Sequence, residues 1–210
     1  DVASDINQSI VDLVDQSGYW PNWPHLGVAQ QKMSGDSLPT VLSVIDAFGS
    51  TDYDREAALA HLVSSQALPL DPARNKRDNG YQFAGLGFVE NAKNAVSTST
   101  TLEYATNDFS IAQLAQRLGD DAAYDRFMQR AQNWQNVFDP VTREIRPRGR
   151  NGFDRAFNLG ERGNQFDQAT GYQYGWAVPQ NMGTLIAKRG GIEKVTADLD
   201  KHLTRLDAGV

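Results

Sequence analysis

The chain has 210 residues, of which 40% are hydrophobic and 22% are charged, and its formal net charge is −6 at pH 7. This composition is typical of a globular protein, and the negative charge argues against a general nucleic-acid surface or an anionic membrane partner. The absence of cysteine excludes disulfides, thiol catalysis and zinc–thiolate sites. No apolar run approaches the roughly 18 residues that a membrane span needs.

Apolar residues recur at helical spacing along most of the chain. Glycines or an Asp-Pro pair end several of these segments, as expected for helix termini. In chain order, the predicted helices are one around Ile10 ending at Gly18, residues 38–48, residues 57–63 with 53–56 as their first turn, residues 101–118, a stripe from Tyr124 to Phe138, one around Leu185 ending at Gly190, and residues 192–206.

The helix at 101–118 and the stripe after it predict an αα-hairpin, with Gly119 as the stop and Asp120-Asp121 as the next cap. Tyr104 and Asp108 share one helix face, and a buried aspartate there needs a partner. For Asp108 and the nearby Glu103 we therefore expect structural hydrogen bonds.

The hairpin rhythm predicts an all-α fold that forms part of an (α/α)6 toroid. A closed toroid of six hairpins needs roughly 300 to 400 residues at ordinary helix and loop lengths, whereas this chain supplies about four hairpins. We expect residues 1–210 to be a fragment of a single helical catalytic domain, with no second domain in the chain.

Three long polar segments separate the predicted helices, at residues 19–35, 66–87 and 143–170, and such loops usually carry function. In the first, Trp23 either fixes the loop or forms a platform under a sugar ring. Asp36 is either a helix N-cap or a ligand for two sugar hydroxyls. The aromatic and amide-rich residues 166–176 are either a packed helix start or an active-site wall.

Nucleotide-binding, EF-hand, zinc-protease and GxSxG motifs are missing from the sequence, and its three histidines are scattered. The stretches WPNWPHLG, KMSGDSLPTVLSVIDAFGSTDYD, TSTTLEYATNDFSIAQLAQRLGDDAAYDRFMQRAQNWQNVFDP, IRPRGRNG and ATGYQYGWAVPQNMGTLIAKRGG together resemble glycoside hydrolase family 92, the calcium-dependent exo-acting α-mannosidases. The resemblance implies an N-terminal β-sandwich followed by an (α/α)6 domain, of which this chain is the first part.

The resemblance also implies roles for particular residues. Trp23, Asp36, Gln173 and Tyr174 become candidates for binding substrate, and Gln168 occupies the position of the family's general acid, a glutamate. The family inverts configuration, which requires an acid on one side of the sugar and a base on the other. The base and most calcium ligands are expected downstream, so calcium is implied as a cofactor but no metal ligand is assigned within this chain.

The implied partners are a mannose-containing glycan and the remainder of the same enzyme, with no nucleic acid and no membrane. The implied setting is a secreted or cell-surface enzyme, as in bacteria that release mannose from N-glycans.

An amide in place of the acid changes the expected substrate. A glutamine donates no proton to a leaving group, but a phosphate departs as a stable anion without one. The chain thus resembles the branch of the family that hydrolyses mannose-1-phospho-6-mannose. The alternatives are an ordinary exo-α-1,2-mannosidase with its acid elsewhere, and a non-catalytic mannose-binding relative. The arginines available for phosphate are Arg146, Arg148, Arg150, Arg155 and Arg162.

Overall fold

Helices make up most of the computed structural model, which describes residues 1–21, 23–25, 28–30, 35–91 and 96–204, with backbone alone for 23–25 and 28–30. The helices are α1 (Val2–Ser17), α2 (Leu38–Ala47), α3 (Arg55–Ser65), α4 (Gly80–Leu86), α5 (Ser97–Leu118), α6 (Asp121–Ala131), α7 (Gly171–Tyr174), α8 (Met182–Arg189) and α9 (Ile192–Leu203), with 3₁₀ turns at Gln132–Val137 and Pro179–Asn181. The predicted all-α class is confirmed, and the closed toroid remains a prediction.

The strands are short and lie in three antiparallel pairs. Their bounds are β1 (Trp23–His25), β2 (Val28–Gln30), β3 (Phe138–Asp139), β4 (Glu144–Ile145), β5 (Arg148–Gly149) and β6 (Gly152–Phe153). All three pairs join residues close in sequence, so they shape the connecting segments and add no layer to the fold. Within the described ranges, no helix is both long and apolar enough to cross a membrane.

Most of the predicted helix ends are confirmed, and capping residues are found at them. Asp1 accepts hydrogen bonds from the Ala3 and Ser4 backbone nitrogens at 3.0 Å, and Gly18 ends α1 with a left-handed φ of 76°. Asp120 caps α6 through the Ala123 nitrogen at 2.9 Å, as predicted. The two-residue connection between α5 and α6 thus forms the expected αα-hairpin.

Three local predictions were wrong. Tyr53 and Asp54 lie before α3, where Asp54 is the N-cap and accepts from the Ala57 nitrogen. The stripe to Phe138 is not one helix, because the poor helix formers of the QNWQNV segment make a 3₁₀ turn. The segment 66–87, which was predicted to be a loop, contains α4. Glycines hide the helical pattern in the sequence of α4, and the buried side chain of Phe83 anchors the helix.

The described chain divides into two compact units. The first contains residues 1–81 and 104–132, and the second contains residues 82–103 and 133–210, so that the division falls within α5. Apolar side chains from α1, α2, α3, α5 and α6, together with Trp20 after α1, form the core of the first unit: Ile10, Val11, Val14, Trp20, Leu42, Ala58, Leu59, Leu62, Ile111, Ala112, Leu114, Ala115, Ala123 and Phe127. Trp134, Ile145, Phe166 and Leu185 are among the fully buried side chains of the second.

A buried ion network lies beside the first core. Arg77, whose side chain is 2% exposed, donates from Nη1 to Asp108 at 2.7 Å and from Nε to Asp36 at 2.6 Å. Asp108 also accepts from Arg130 Nε at 2.6 Å. The Arg77 guanidinium carbon also lies 4.7 Å from the centroid of the Tyr104 ring. Tyr104 and Asp108, which share one helix face, therefore contact the same cation. The predicted structural role of Asp108 is confirmed.

Replacing Arg77 with alanine should leave two buried carboxylates without their shared cation. Removing one partner of a buried ion pair costs about 3–5 kcal/mol, and here two carboxylates are affected. We expect the free energy of unfolding to fall by at least this amount in chemical denaturation of the protein that carries the chain.

The control is Arg74→Ala, since Arg74 is 57% exposed and lies 3.8 Å from Asp71. Exposed pairs of this kind are worth under about 1 kcal/mol. Equal losses of stability for the two variants would contradict the structural importance of the network.

Candidate functional site

The segment before Gln168 is anchored to the first turn of α5. Ser97 Oγ donates to Gln165 Oε1 at 2.6 Å, and the Thr98 nitrogen donates to the Gln165 carbonyl at 3.1 Å. The Asp167 nitrogen donates to Ser99 Oγ at 3.0 Å. Side-chain and backbone groups of one rigid helix therefore hold the chain up to the residue immediately preceding Gln168.

Gln168 is exposed and has a left-handed backbone, with φ at 55°. A residue other than glycine in this region costs roughly 1–2 kcal/mol, and its surroundings must hold it there. The anchors on α5 supply that hold from one side. Its side chain hydrogen-bonds to none of the described residues, which leaves the amide accessible to a ligand.

The segment after Gln168 is fixed by a capping box. The Thr170 side chain accepts from the Gln173 nitrogen at 3.3 Å, and the Thr170 nitrogen donates to Gln173 Oε1 at 2.9 Å. The expected helix start is thus confirmed at α7. Because its amide oxygen is engaged in the cap, Gln173 presents its nitrogen as the group for a ligand.

Tyr174 closes α7 and contacts α5. Its hydroxyl donates to Glu103 Oε1 at 2.8 Å, which confirms the predicted structural hydrogen bond for Glu103. Its ring packs against Phe166, with centroids 6.0 Å apart. Burial, together with the negative charge of Glu103, raises the pKa of Tyr174 above its usual value, so the phenol keeps its proton at neutral pH.

Gly171 is required by close packing at the start of α7. A Cβ there would lie 2.6 Å from Leu159 Cδ2 and 2.8 Å from Phe166 Cε2, and both neighbours are buried. The backbone of α7 can approach this apolar pair only because residue 171 has no side chain.

Asp36 belongs to the first unit, and its carboxylate is committed within the protein. It accepts from Arg77 Nε at 2.6 Å and from Asn107 Nδ2, and it is almost fully buried. Burial raises the pKa of Asp36, and Arg77 opposes that rise. The N-cap of α2 is Ser37, so the N-cap interpretation of Asp36 was wrong, and its sugar-binding role stays a prediction. The side chain of Trp23 lies outside the described residues.

Four of the five candidate phosphate arginines already bind acceptors in the protein. The contacts are Arg146 Nη1 to the Phe157 carbonyl (3.0 Å), Arg148 Nη1 to the Asn136 carbonyl (2.7 Å), Arg150 Nε to Glu90 (3.0 Å) and Arg155 Nε to Asp139 (2.7 Å). Arg162 is exposed and precedes the anchored segment. Among the described residues, its guanidinium has no hydrogen-bond or ion-pair partner.

The anchors on α5 were missed by sequence reasoning, which treated residues 97–100 as lying before the helix. The run STSTT was the available signal, because hydroxyl side chains at a helix start commonly bind backbone groups. The described residues contain no group of three or more His, Asp or Glu side chains able to hold a metal ion.

The second unit is mainly helical and presents Gln168 between an anchored segment and the short capped helix α7. The model of the glycosyl hydrolase family 92 catalytic domain matches residues 1–209. The chain belongs to this family. No curated protein matches it.

Solved structures support the same assignment. The chain is 27% identical to a family GH92 α-mannosidase from Bacteroides thetaiotaomicron in complex with mannoimidazole, with a TM-score of 0.86 over 98% of this chain. It is 29% identical to a family GH92 inverting mannosidase from Bacteroides thetaiotaomicron VPI-5482, with a TM-score of 0.80 over 95% of this chain. The chain spans 28% and 27% of the lengths of these two proteins.

Alanine at position 171 should disturb the candidate site through packing alone. Overpacking a filled site typically costs about 1–3 kcal/mol, and the shift of α7 would displace Gln173 and Tyr174. We expect a lower melting temperature and at least a tenfold loss of kcat/KM in the full-length protein.

Gly183→Ala is the matched control, because a Cβ at Gly183 in α8 meets nothing within 4 Å. Alanine favours a helix over glycine by roughly 0.5–1 kcal/mol, so this variant should be at least as stable as the wild type. Wild-type activity in Gly171→Ala would show that the position of α7 does not matter.

Proposed function

We propose that the chain is part of an inverting glycoside hydrolase that releases terminal mannose from mannose-1-phospho-6-mannose on phosphorylated N-glycans. Family membership supports the mannosidase part of this proposal, together with the α-mannosidases among the matched structures. The substrate part depends on Gln168, an exposed glutamine at the position that the sequence resemblance assigns to the family's acid.

The chemistry of the leaving group connects Gln168 to the phosphodiester. When an ordinary α-mannoside is cleaved, the departing sugar oxygen needs a proton, and general acid assistance is worth about 100- to 10,000-fold. In the phosphodiester, the bond between the anomeric carbon and the phosphate oxygen breaks while water attacks from the opposite face. The phosphate keeps the bonding electrons and leaves as an anion, so no acid is required.

An amide also suits the charge of this substrate better than a carboxylate does. A glutamate would repel the phosphate, whereas the Gln168 nitrogen can donate a hydrogen bond to a phosphate oxygen. The anchors on α5 and the capping box at Thr170 fix the backbone on both sides of Gln168. Because the backbone is already fixed, binding has to order only the Gln168 side chain.

The rest of the mechanism requires groups beyond this chain. We propose that the general base and most of the calcium ligands lie in the remainder of the enzyme. Arg162 is the arginine proposed to contribute to phosphate binding, since it is exposed and near in sequence. We propose that the enzyme is secreted or lies at the cell surface, where phosphorylated N-glycans are accessible.

A second candidate is an ordinary exo-α-mannosidase. The matched relatives are described as an α-mannosidase and an inverting mannosidase, and this favours the broader activity. In that enzyme another residue would supply the acid, and Gln168 would only bind substrate.

The Gln168→Glu variant separates these two candidates. We expect it to lower kcat/KM on mannose-1-phospho-6-mannose by about tenfold or more, because a carboxylate repels phosphate. We expect it to raise kcat/KM on α-1,2-mannobiose by up to about 100-fold, because an acid is restored. The gain should decline as the pH rises through the pKa of the new carboxyl group, which must be protonated to act.

Gln116→Glu is the control, since it makes the same chemical change on an exposed position of α5 and should leave both rates unchanged. An unaltered ratio of the two activities in Gln168→Glu would contradict the proposed role of Gln168. Rapid cleavage of α-1,2-mannobiose by the wild type, with none of the phosphodiester, would favour the second candidate. No cleavage of either substrate by the full-length wild type would indicate a mannose-binding protein.

A further inference from the structure

Glu103 is an acidic side chain of the second unit for which the proposed reaction has no direct use. It lies in the second turn of α5, 71 residues from Tyr174, and it accepts the hydrogen bond from the Tyr174 hydroxyl at 2.8 Å. Both side chains are partly buried. The contact therefore joins an acid on a long helix to a tyrosine of the candidate site.

The Tyr174 hydroxyl has one proton, and the contact with Glu103 determines where that proton points. An ionised carboxylate only accepts hydrogen bonds, so the phenol must be the donor. Burial and the charge of Glu103 keep Tyr174 protonated, because they raise its pKa. The ring cannot easily turn away, since it packs against the fully buried Phe166.

We propose that Glu103 is a positioning residue that makes Tyr174 a hydrogen-bond acceptor toward the substrate. With its proton committed to Glu103, the tyrosine oxygen has only lone pairs left, which it shares between a ligand and the neighbouring Ser99 side chain. A mannose hydroxyl can donate to that oxygen, whereas a phosphate oxygen, which only accepts, cannot bind to it. This inference rests on the proposed function and refines it.

The consequence is that one short segment, residues 168–174, presents both hydrogen-bond donors and an acceptor. Gln168 has amide protons to give to an anionic phosphate, and Gln173, whose amide oxygen is held in the cap, also presents a donor. Tyr174 is the acceptor of the set. The segment therefore distinguishes the two ends of a mannosyl phosphate by the direction of its hydrogen bonds.

The inference can be tested with Glu103→Gln, Tyr174→Phe and the double variant in the full-length protein. Binding is measured with mannoimidazole and with methyl α-mannosides that each lack one hydroxyl. We expect each single variant to bind mannoimidazole about tenfold more weakly, which corresponds to about 1.4 kcal/mol. The double variant should bind no more weakly than Tyr174→Phe, because Glu103 acts through the tyrosine.

The deoxy sugars separate positioning from a purely structural tie between α5 and α7. For the wild type, deletion of one particular hydroxyl should cost affinity, and that penalty should vanish in both single variants. A structural role would weaken all sugars alike, and this outcome would overturn the proposal. A full additional loss from Glu103→Gln in the Tyr174→Phe background would overturn it too.

Glu161→Gln serves as the charge control. Glu161 is an exposed acid in the loop that leads to Gln168, and its carboxylate accepts a hydrogen bond from the Asn164 side chain. It should leave the affinities unchanged. The binding measurements do not depend on turnover. A protein that binds mannoimidazole without cleaving the phosphodiester would contradict the proposed function, while the deoxy-sugar pattern would still decide the role of Glu103.

Discussion

Helix α5 buries an unusual set of polar side chains, and the cost of burying them without partners constrains the structure around it. Eight of its polar residues are buried: Ser97, Thr98, Ser99, Thr100, Thr101, Asn107, Asp108 and Ser110. Burying such groups is costly unless they find hydrogen-bond partners. In the first unit, Asp108 recruits Arg77 and Arg130. In the second, Ser97 and Ser99 recruit the backbone and side chains that lead to Gln168.

This pairing explains how a loop position can be rigid enough for chemistry. Hydroxyls at a helix start normally satisfy the helix's own nitrogens, but here the first turn of α5 binds the Gln165 carbonyl instead. The backbone of residues 165–167 is thereby held against a regular helix. A binding group that is held in position before the ligand arrives is more effective than one that must be ordered on binding.

Much of the fold could be predicted from the sequence, because residues that start or end helices stand at the ends of the helices. Gly18, Gly119 and the aspartate caps are local signals, and the apolar spacing determined α1, α2, α5 and α9 well. The helix α4 could not be predicted, since its stability depends on burying Phe83 and its local sequence is poor for a helix. The break after α6 was missed for a related reason: Trp134 and Phe138 are apolar at helical spacing yet pack edge to face around a 3₁₀ turn.

The candidate site was less predictable than the fold. The family motif pointed to Gln168, Gln173 and Tyr174, which the structure brings into one unit, whereas Asp36 lies in the other unit within an ion network. Partners such as Glu103 and Ser99 are about 70 residues away along the chain. No local pattern connects residues at that distance, so their pairing appears only in three dimensions.

The left-handed backbone at Gln168 has a consequence for how this position can vary. A φ of 55° suits glycine and asparagine-like side chains and disfavours β-branched ones, whatever chemistry they would bring. Fewer residue types can therefore occupy this position. Within it, glutamine and glutamate have nearly the same shape. A single nucleotide change interconverts their codons, so this position can change between an amide and an acid without rebuilding the loop.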